Sequence, residues 1–139
     1  MSYVTIATVC PRTGHPWNTP VVGFFDDTLN LYWASWTQNQ HSRNIAAQPY
    51  IFAVIYDSST PLGEGEGLYL QMVARELTDE TEVIAAKTVY TDRCGEDGSH
   101  TAFMGACPRR IYKACLYKVW HNTEGARGRH FVDVRQPLA

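Results

Sequence analysis

The chain has 139 residues, 45% of them hydrophobic and 19% charged, with a formal net charge of -2 at pH 7 and a pI near 6.2. That is enough chain for one domain over residues 1–139 with a core that needs no disulfide or metal staple, and the composition excludes a disordered segment. A slightly acidic balance excludes nucleic acid and anionic lipid as partners, since both call for a basic face, and no apolar run reaches the ~20 residues of a membrane helix.

In chain order, Tyr3 to Val9 alternates and is rich in β-branched residues, a strand pattern. Pro11-Arg12-Thr13-Gly14 supplies a turn, with Gly14 free to take positive φ. The second strand is expected from Trp17 to Phe25, with Pro20 on an edge or beside a bulge where its missing N–H does no harm. Asp26-Asp27-Thr28 turns into a third strand, Leu29 to Ser35, and both carboxylates are expected to face water.

The period then changes. From Gln38 or Asn39 a short helix follows, capped by Asn39, carrying Ile45 as its main apolar residue and ending before Pro49. Tyr50 to Tyr56 is a continuous apolar run and reads as a strand covered on both faces. Asp57 to Glu66 is a loop, and Gly67 to Leu77 a long strand. The glutamates in Gly63-Glu64-Gly65-Glu66-Gly67 would repel a phosphate, so that glycine run is a flexible lead into the strand.

Asp79 to Tyr90 is expected as the second helix, with Thr78 as N-cap, acidic residues in its first turn and Gly95 stopping it. Glu96 to Gly105 is expected as a mobile connection, Arg109 to Trp120 as a strand, Thr123 to Gly128 as a turn and His130 to Val134 as a short last strand. Six or seven mostly antiparallel strands with two inserted helices predict a barrel-like α+β domain.

No basic segment followed by an apolar run stands at the N-terminus, so a cytoplasmic location is the default expectation. Cys10, Cys94, Cys107 and Cys115 form no C-x-x-C pair and are expected as reduced thiols. The five histidines show no metal-ligand spacing, so no metal site is expected, and no nucleophile elbow, Walker loop or dinucleotide fingerprint is present. Four tryptophans and eight tyrosines leave two readings open, a core of aromatic strands or a flat ligand surface.

One corner holds more polar chemistry than a turn requires. Ser35, Thr37, Gln38, Asn39, Gln40, His41, Ser42 and Arg43 put hydroxyls, amides, an imidazole and a guanidinium beside Trp33 and Trp36, where a strand delivers the chain to a helix N-terminus. The first N–H groups of a helix have no internal partner and carry the positive end of its dipole, so this corner is a candidate anion or phosphate site.

Several local words, in order, carry a resemblance: Ile6-Ala7-Thr8-Val9, Gly14-His15-Pro16 followed by Asn18-Thr19-Pro20-Val21, Leu31-Tyr32-Trp33-Ala34-Ser35, His41-Ser42-Arg43-Asn44-Ile45 ending in Gln48-Pro49, the strand Gly67 to Ala74, and Trp120. Together they cover nearly the whole chain, and the chain resembles the pyridoxamine 5′-phosphate oxidase-like, FMN-binding split-barrel superfamily. The resemblance implies a split β-barrel, a homodimer with FMN at its interface, and an oxidoreductase acting on a small molecule. It implies cofactor contacts at Thr19, Pro20 and Val21 along the ring edge, at Ala34 and Ser35 on the third strand, at Asn39, Gln40, His41 and Arg43 at the helix start, and at Trp120 from the second subunit.

By eye Ser42-Arg43-Asn44 looks like the family's Ser-Arg-Lys run. Counting back from Gln48-Pro49 instead sets that phosphate run on Asn39-Gln40-His41, so Gln40 and His41 stand where the family has Arg and Lys. Arg43, or a protonated His41, would restore positive charge there. The second strand lacks the family's basic residues, so pyridoxamine phosphate itself is not implied as substrate. No catalytic residue is named. A deazaflavin-dependent reductase and a non-enzymatic flavin- or haem-binding barrel are the alternatives.

Overall fold

The computed structural model describes residues 3–62, 64–94, 99–127 and 130–138, with 90–94, 123–127 and 130–136 as backbone only. Seven strands, β1 (Tyr3–Val9), β2 (Pro16–Phe25), β3 (Leu31–Trp36), β4 (Tyr50–Tyr56), β5 (Gly67–Glu76), β6 (Arg109–Arg127) and β7 (His130–Leu138), form one sheet. Helix α1 (Gln40–Ala47) lies between β3 and β4, and α2 (Glu80–Cys94) between β5 and β6. The strand order is β3-β2-β1-β4-β5-β6-β7, and a further β3–β6 pairing closes the first six strands into an antiparallel barrel. β7 pairs only with the outer half of β6, so this α+β fold is a split barrel with one added strand.

The alternation of the sequence sets the barrel's two faces. Val4, Ile6, Val21, Leu31, Trp33, Ile51, Ala53, Leu70, Met72, Tyr112 and Ala114 point inward, and Ile45 of α1 joins them, so α1 closes one end of the barrel. Tyr32 and Ile111, on the opposite face of β3 and β6, pack with Val83 and Ala86 of α2 and with Phe103 in a second core outside the barrel. A Cβ at Gly23 would lie 2.6 Å from Leu31 Cδ1, so the Leu31 side chain fills the space that a larger residue there would need.

The β1–β2 turn takes Gly14 at φ +71, as expected. Pro20 lies where β2 pairs with β1 but has no β3 neighbour, the edge position its ring requires. Other expectations need correction. β3 begins at Leu31, because Leu29 has φ 62 and belongs to the turn. Asp27 is exposed, as expected, while Asp26 is half-buried and its carboxylate is tied down: it accepts from Thr28 and Asn30, backbone and side chain, and from the Tyr32 hydroxyl.

β4 is covered on one face only, with Ile51 and Ala53 buried while Tyr50 and Tyr56 are exposed. α2 starts at Glu80, and Asp79 rather than Thr78 caps it, accepting from the Glu82 N–H at 3.0 Å. The stretch expected as a mobile connection contains a 3-10 turn, His100–Phe103, that buries Phe103, while 95–98, with the expected stop at Gly95, lie outside the described residues. The turn expected at Thr123 is strand through Arg127, so β6 and β7 form a longer hairpin; 128 lies outside the described residues, as does 63 in the Asp57 to Glu66 loop.

Asp26 gives a pH prediction. Burial alone would raise its pKa, but the hydrogen bonds from Asn30 and Thr28 outweigh burial and hold it far below the usual carboxylate range. A depressed carboxyl stabilises the fold above its unfolded pKa of about 3.9, and that contribution fades as pH falls towards the folded value. Asp26→Asn is expected to cost about 1–3 kcal/mol at pH 7. In urea unfolding, the gap between the two proteins narrows below about pH 4; a gap that does not change with pH would contradict this.

Candidate functional site

α1 is positioned by three things. Pro49 ends it, Ile45 roots it in the barrel core, and a buried polar chain ties it to the wall. In that chain Asn44 Nδ2 donates to Thr8 Oγ1 at 2.9 Å, and Thr8 Oγ1 donates to the Trp17 carbonyl at 3.3 Å. Asn44 is fully buried and Thr8 nearly so. Sequence reasoning missed both, although the signal was present: Thr8 continues the inward alternation of Val4 and Ile6, and Asn44 sits one turn after Gln40 and beside Ile45.

The helix start differs from the expected cap. Asn39 occupies the N-cap position with extended backbone, but its side chain makes no cap hydrogen bond. Its Nδ2 instead donates to Ser35 Oγ at 2.8 Å, and Ser35 Oγ shares a 2.7 Å hydrogen bond with His41 Nε2. The first turn of α1 thus has N–H groups with no side-chain cap and no acidic residue beside them.

Arg43 is exposed and donates from Nη2 to Gln40 Oε1 at 2.9 Å, while Gln40 Nε2 donates to Asn44 Oδ1 at 2.7 Å. Gln40 thereby joins the guanidinium to the buried chain. His41 is only 5% exposed, and desolvation lowers its pKa, so the imidazole is neutral at neutral pH and is not the second cation. Arg43 is the basic side chain of this corner. Three buried polar atoms, Thr19 Oγ1, Trp33 Nε1 and Ser42 Oγ, make no full hydrogen bond. The Ser42 hydroxyl lies beside the Tyr112 phenol, whose pKa burial raises.

At the start of α1 the structure brings Ser35, Asn39 and His41 together in one hydrogen-bonded group and Gln40, Arg43 and Asn44 in a second, with Ala34 next to Ser35 on β3. Thr19, Pro20 and Val21 lie on β2, which α1 also touches. Trp120 lies elsewhere. It stands in one row with Tyr69, Val54, Thr5 and Pro20 across five strands, four strand spacings from Pro20 around the barrel wall. Its ring stacks on Phe52 at 6.1 Å between centroids, with Lys118 Nζ 4.8 Å from its own centroid.

At the other end of β4, an open cleft of about 530 Å³ is lined by Ile55, Asp57, Thr60, Glu64, Glu66, Gly67, Leu68 and His121. Its three carboxylates make it the wrong charge for a phosphate. The corner's uncapped N–H groups and guanidinium fit a phosphate; the acidic cleft does not.

No family model and no curated protein matches the sequence. Solved structures do match by fold. A heme binding protein from Mycobacterium smegmatis superposes with a TM-score of 0.69 at 16% identity, over 97% of this chain and 53% of that one. An F420 reductase superposes at 0.60, with 22% identity over 85% and 88% of the two chains. A protein from Listeria innocua, described as a candidate pyridoxamine 5′-phosphate oxidase, gives 0.63 at 14% identity over 86% of each chain. The chain spans about half the length of the mycobacterial protein, and likewise 51% of a protein of unknown function from Agrobacterium tumefaciens that it matches at 0.74 and 18% identity over 87% of its own length. The closed six-stranded barrel, the added strand and the two inserted helices therefore give this chain the fold of the pyridoxamine 5′-phosphate oxidase-like split barrels.

Proposed function

We propose that the chain is an FMN-dependent oxidoreductase, working as a homodimer with the cofactor at the interface and acting on a small molecule. The observation that carries this is the start of α1: uncapped N–H groups, no acidic residue, and Arg43 in the first turn. A phosphate there would accept from those N–H groups and from the guanidinium, with the Ser35 hydroxyl beside them. The backbone of Thr19 to Val21 would lie along the ring edge.

When bound, FMN supplies the electron or hydride transfer; the chain supplies binding, orientation and shielding from water. Superposition on proteins whose names include a heme binder, an F420 reductase and a pyridoxamine 5′-phosphate oxidase supports a flavin-type cofactor in general. FMN in particular rests on the phosphate chemistry of the corner.

The dimer is supported by the outer face of the sheet. Tyr3, Tyr50 and Tyr56 are 59–68% exposed on it, around Phe52, Val54, Tyr69 and Trp120, and over the length of β4 Lys118 is its charge among the described residues. A contiguous aromatic surface of this kind marks an interaction face. Pairing this face would bring Trp120 of the partner subunit towards the cofactor, the position that the resemblance implies for it. No helix among the described residues is long and apolar enough to cross a membrane. The free thiols of Cys10, Cys107 and Cys115 suit a reducing compartment, and a cytoplasmic location is proposed on that ground.

The absorbance spectrum of the purified chain, with FMN added if it is colourless, tests the cofactor. Flavin bands that co-migrate with a dimer are expected. A Soret band would turn the reading to haem, binding of a deazaflavin in preference to FMN would turn it to a deazaflavin reductase, and no binding of any of these would overturn it.

A further inference from the structure

A serine hydroxyl has one proton and two lone pairs, and at Ser35 the two neighbours already in place decide which of them a ligand can use. Asn39 Nδ2 occupies one lone pair at 2.8 Å. His41 Nε2 stands 2.7 Å away and can play either part. If the imidazole carries its proton on Nδ1, Ser35 spends its own proton on Nε2 and has none left for an anion. If the proton is on Nε2, both lone pairs of Ser35 are filled and its O–H is free for a third partner.

We infer that His41 is a positioning residue, holding Ser35 through an Nε2–H donor so that the Ser35 hydroxyl is left as a donor to a phosphoryl oxygen at the α1 corner. Two observations support this form. Burial favours the neutral ring, and with Asn39 on one lone pair of Ser35 the second stays open to an Nε2–H donor 2.7 Å away, Nε2–H being also the intrinsically preferred form of a neutral imidazole. His41 and Ser35 are both buried, at 5% and 7% exposure, so water does not compete freely for the arrangement. In the register that the resemblance implies, His41 stands at the family's Lys, and a neutral group that acts through Ser35 would take the place of a point charge facing the ligand. This inference rests on the reading of the corner as a phosphate site.

Two readouts separate its failure from the failure of that reading. The ring nitrogen shifts of His41, measured by NMR on the full ligand-free chain at neutral pH, are expected to show a protonated Nε2 and a bare Nδ1. FMN and riboflavin titrations are then compared across the wild type, Ser35→Ala, His41→Leu, His41→Gln and the Ser35→Ala/His41→Leu double variant, with circular dichroism confirming that each is folded. Ser35→Ala and His41→Leu are each expected to weaken FMN by about tenfold, the loss of one charge-assisted hydrogen bond, and the double variant by no more than either. His41→Gln, whose amide can still donate to Ser35, recovers most of the loss, and riboflavin, which lacks the phosphate, is bound alike by all.

An Nδ1–H signature, wild-type FMN affinity in His41→Leu, or additive losses in the double variant would overturn the role of His41 while leaving the phosphate site standing. A wild type that binds neither FMN nor inorganic phosphate at the corner would overturn both.

Discussion

Arg43→Glu is expected to weaken FMN binding by about a hundredfold, roughly 3 kcal/mol, with no loss of fold stability. The variant removes a charge-assisted donor and puts a carboxylate where the phosphate would sit. Stability moves the other way. Arg43 is exposed, its contact with Gln40 is a surface hydrogen bond worth only a few tenths of a kcal/mol, and an acidic residue in the first turn of a helix is favoured by the dipole. Flavin fluorescence titration read beside thermal unfolding distinguishes the two effects. Equal FMN affinity in the two proteins would show that the corner does not hold the phosphate; an equal loss for riboflavin would show that the variant acts on something other than the phosphate.

Trp33→Ala is expected to lower stability by about 3–5 kcal/mol, a large share of what a domain of this size has. Trp33 is fully buried inside the barrel and stacks on Tyr112 at 5.6 Å between centroids and 15° between planes, so its removal empties the centre of the core. Trp33→Phe is expected to cost much less than Ala. The indole N–H has no hydrogen-bond partner, and an unsatisfied buried donor itself costs about 1–3 kcal/mol, which phenylalanine removes while keeping most of the ring. Urea unfolding with unchanged m values measures both. A loss below about 1 kcal/mol for Trp33→Ala would contradict the packing described here.

The strands were legible because the barrel has a wet face and a dry face, and period-two alternation records that directly. Val4-Ile6 and Leu70-Met72-Ala74 point inward as their spacing requires, and Pro20 marks the stretch of β2 that pairs with β1 and has no β3 neighbour. Within the single chain β4 is covered on its inner face alone, and because its outer tyrosines are as apolar in the sequence as buried residues, the run by itself does not say what covers that face. The β6–β7 hairpin was cut short because Glu124 and Gly125 carry turn chemistry, while the backbone pairs through Arg127. Local propensity lost there to the long ladder.

At the corner, the residues that gather were legible and their hydrogen bonds were not. Asn39 is the kind of residue whose Oδ1 caps a helix, yet its side chain makes no cap bond and its Nδ2 donates to Ser35, four residues earlier on β3. His41 read as a cation in a row of polar residues, but the barrel end buries it, and burial favours the neutral ring. The tie from Asn44 to Thr8 spans 36 residues of chain, a separation that no local pattern encodes.

The most direct measurement of the cofactor proposal is an experimental structure of the chain with FMN. The account predicts one FMN per chain at a dimer interface, its phosphate within hydrogen-bond distance of the first N–H groups of α1 and of the Arg43 guanidinium, and its ring edge along Thr19 to Val21. A flavin bound with its phosphate away from α1, or a chain that takes up none, would contradict it.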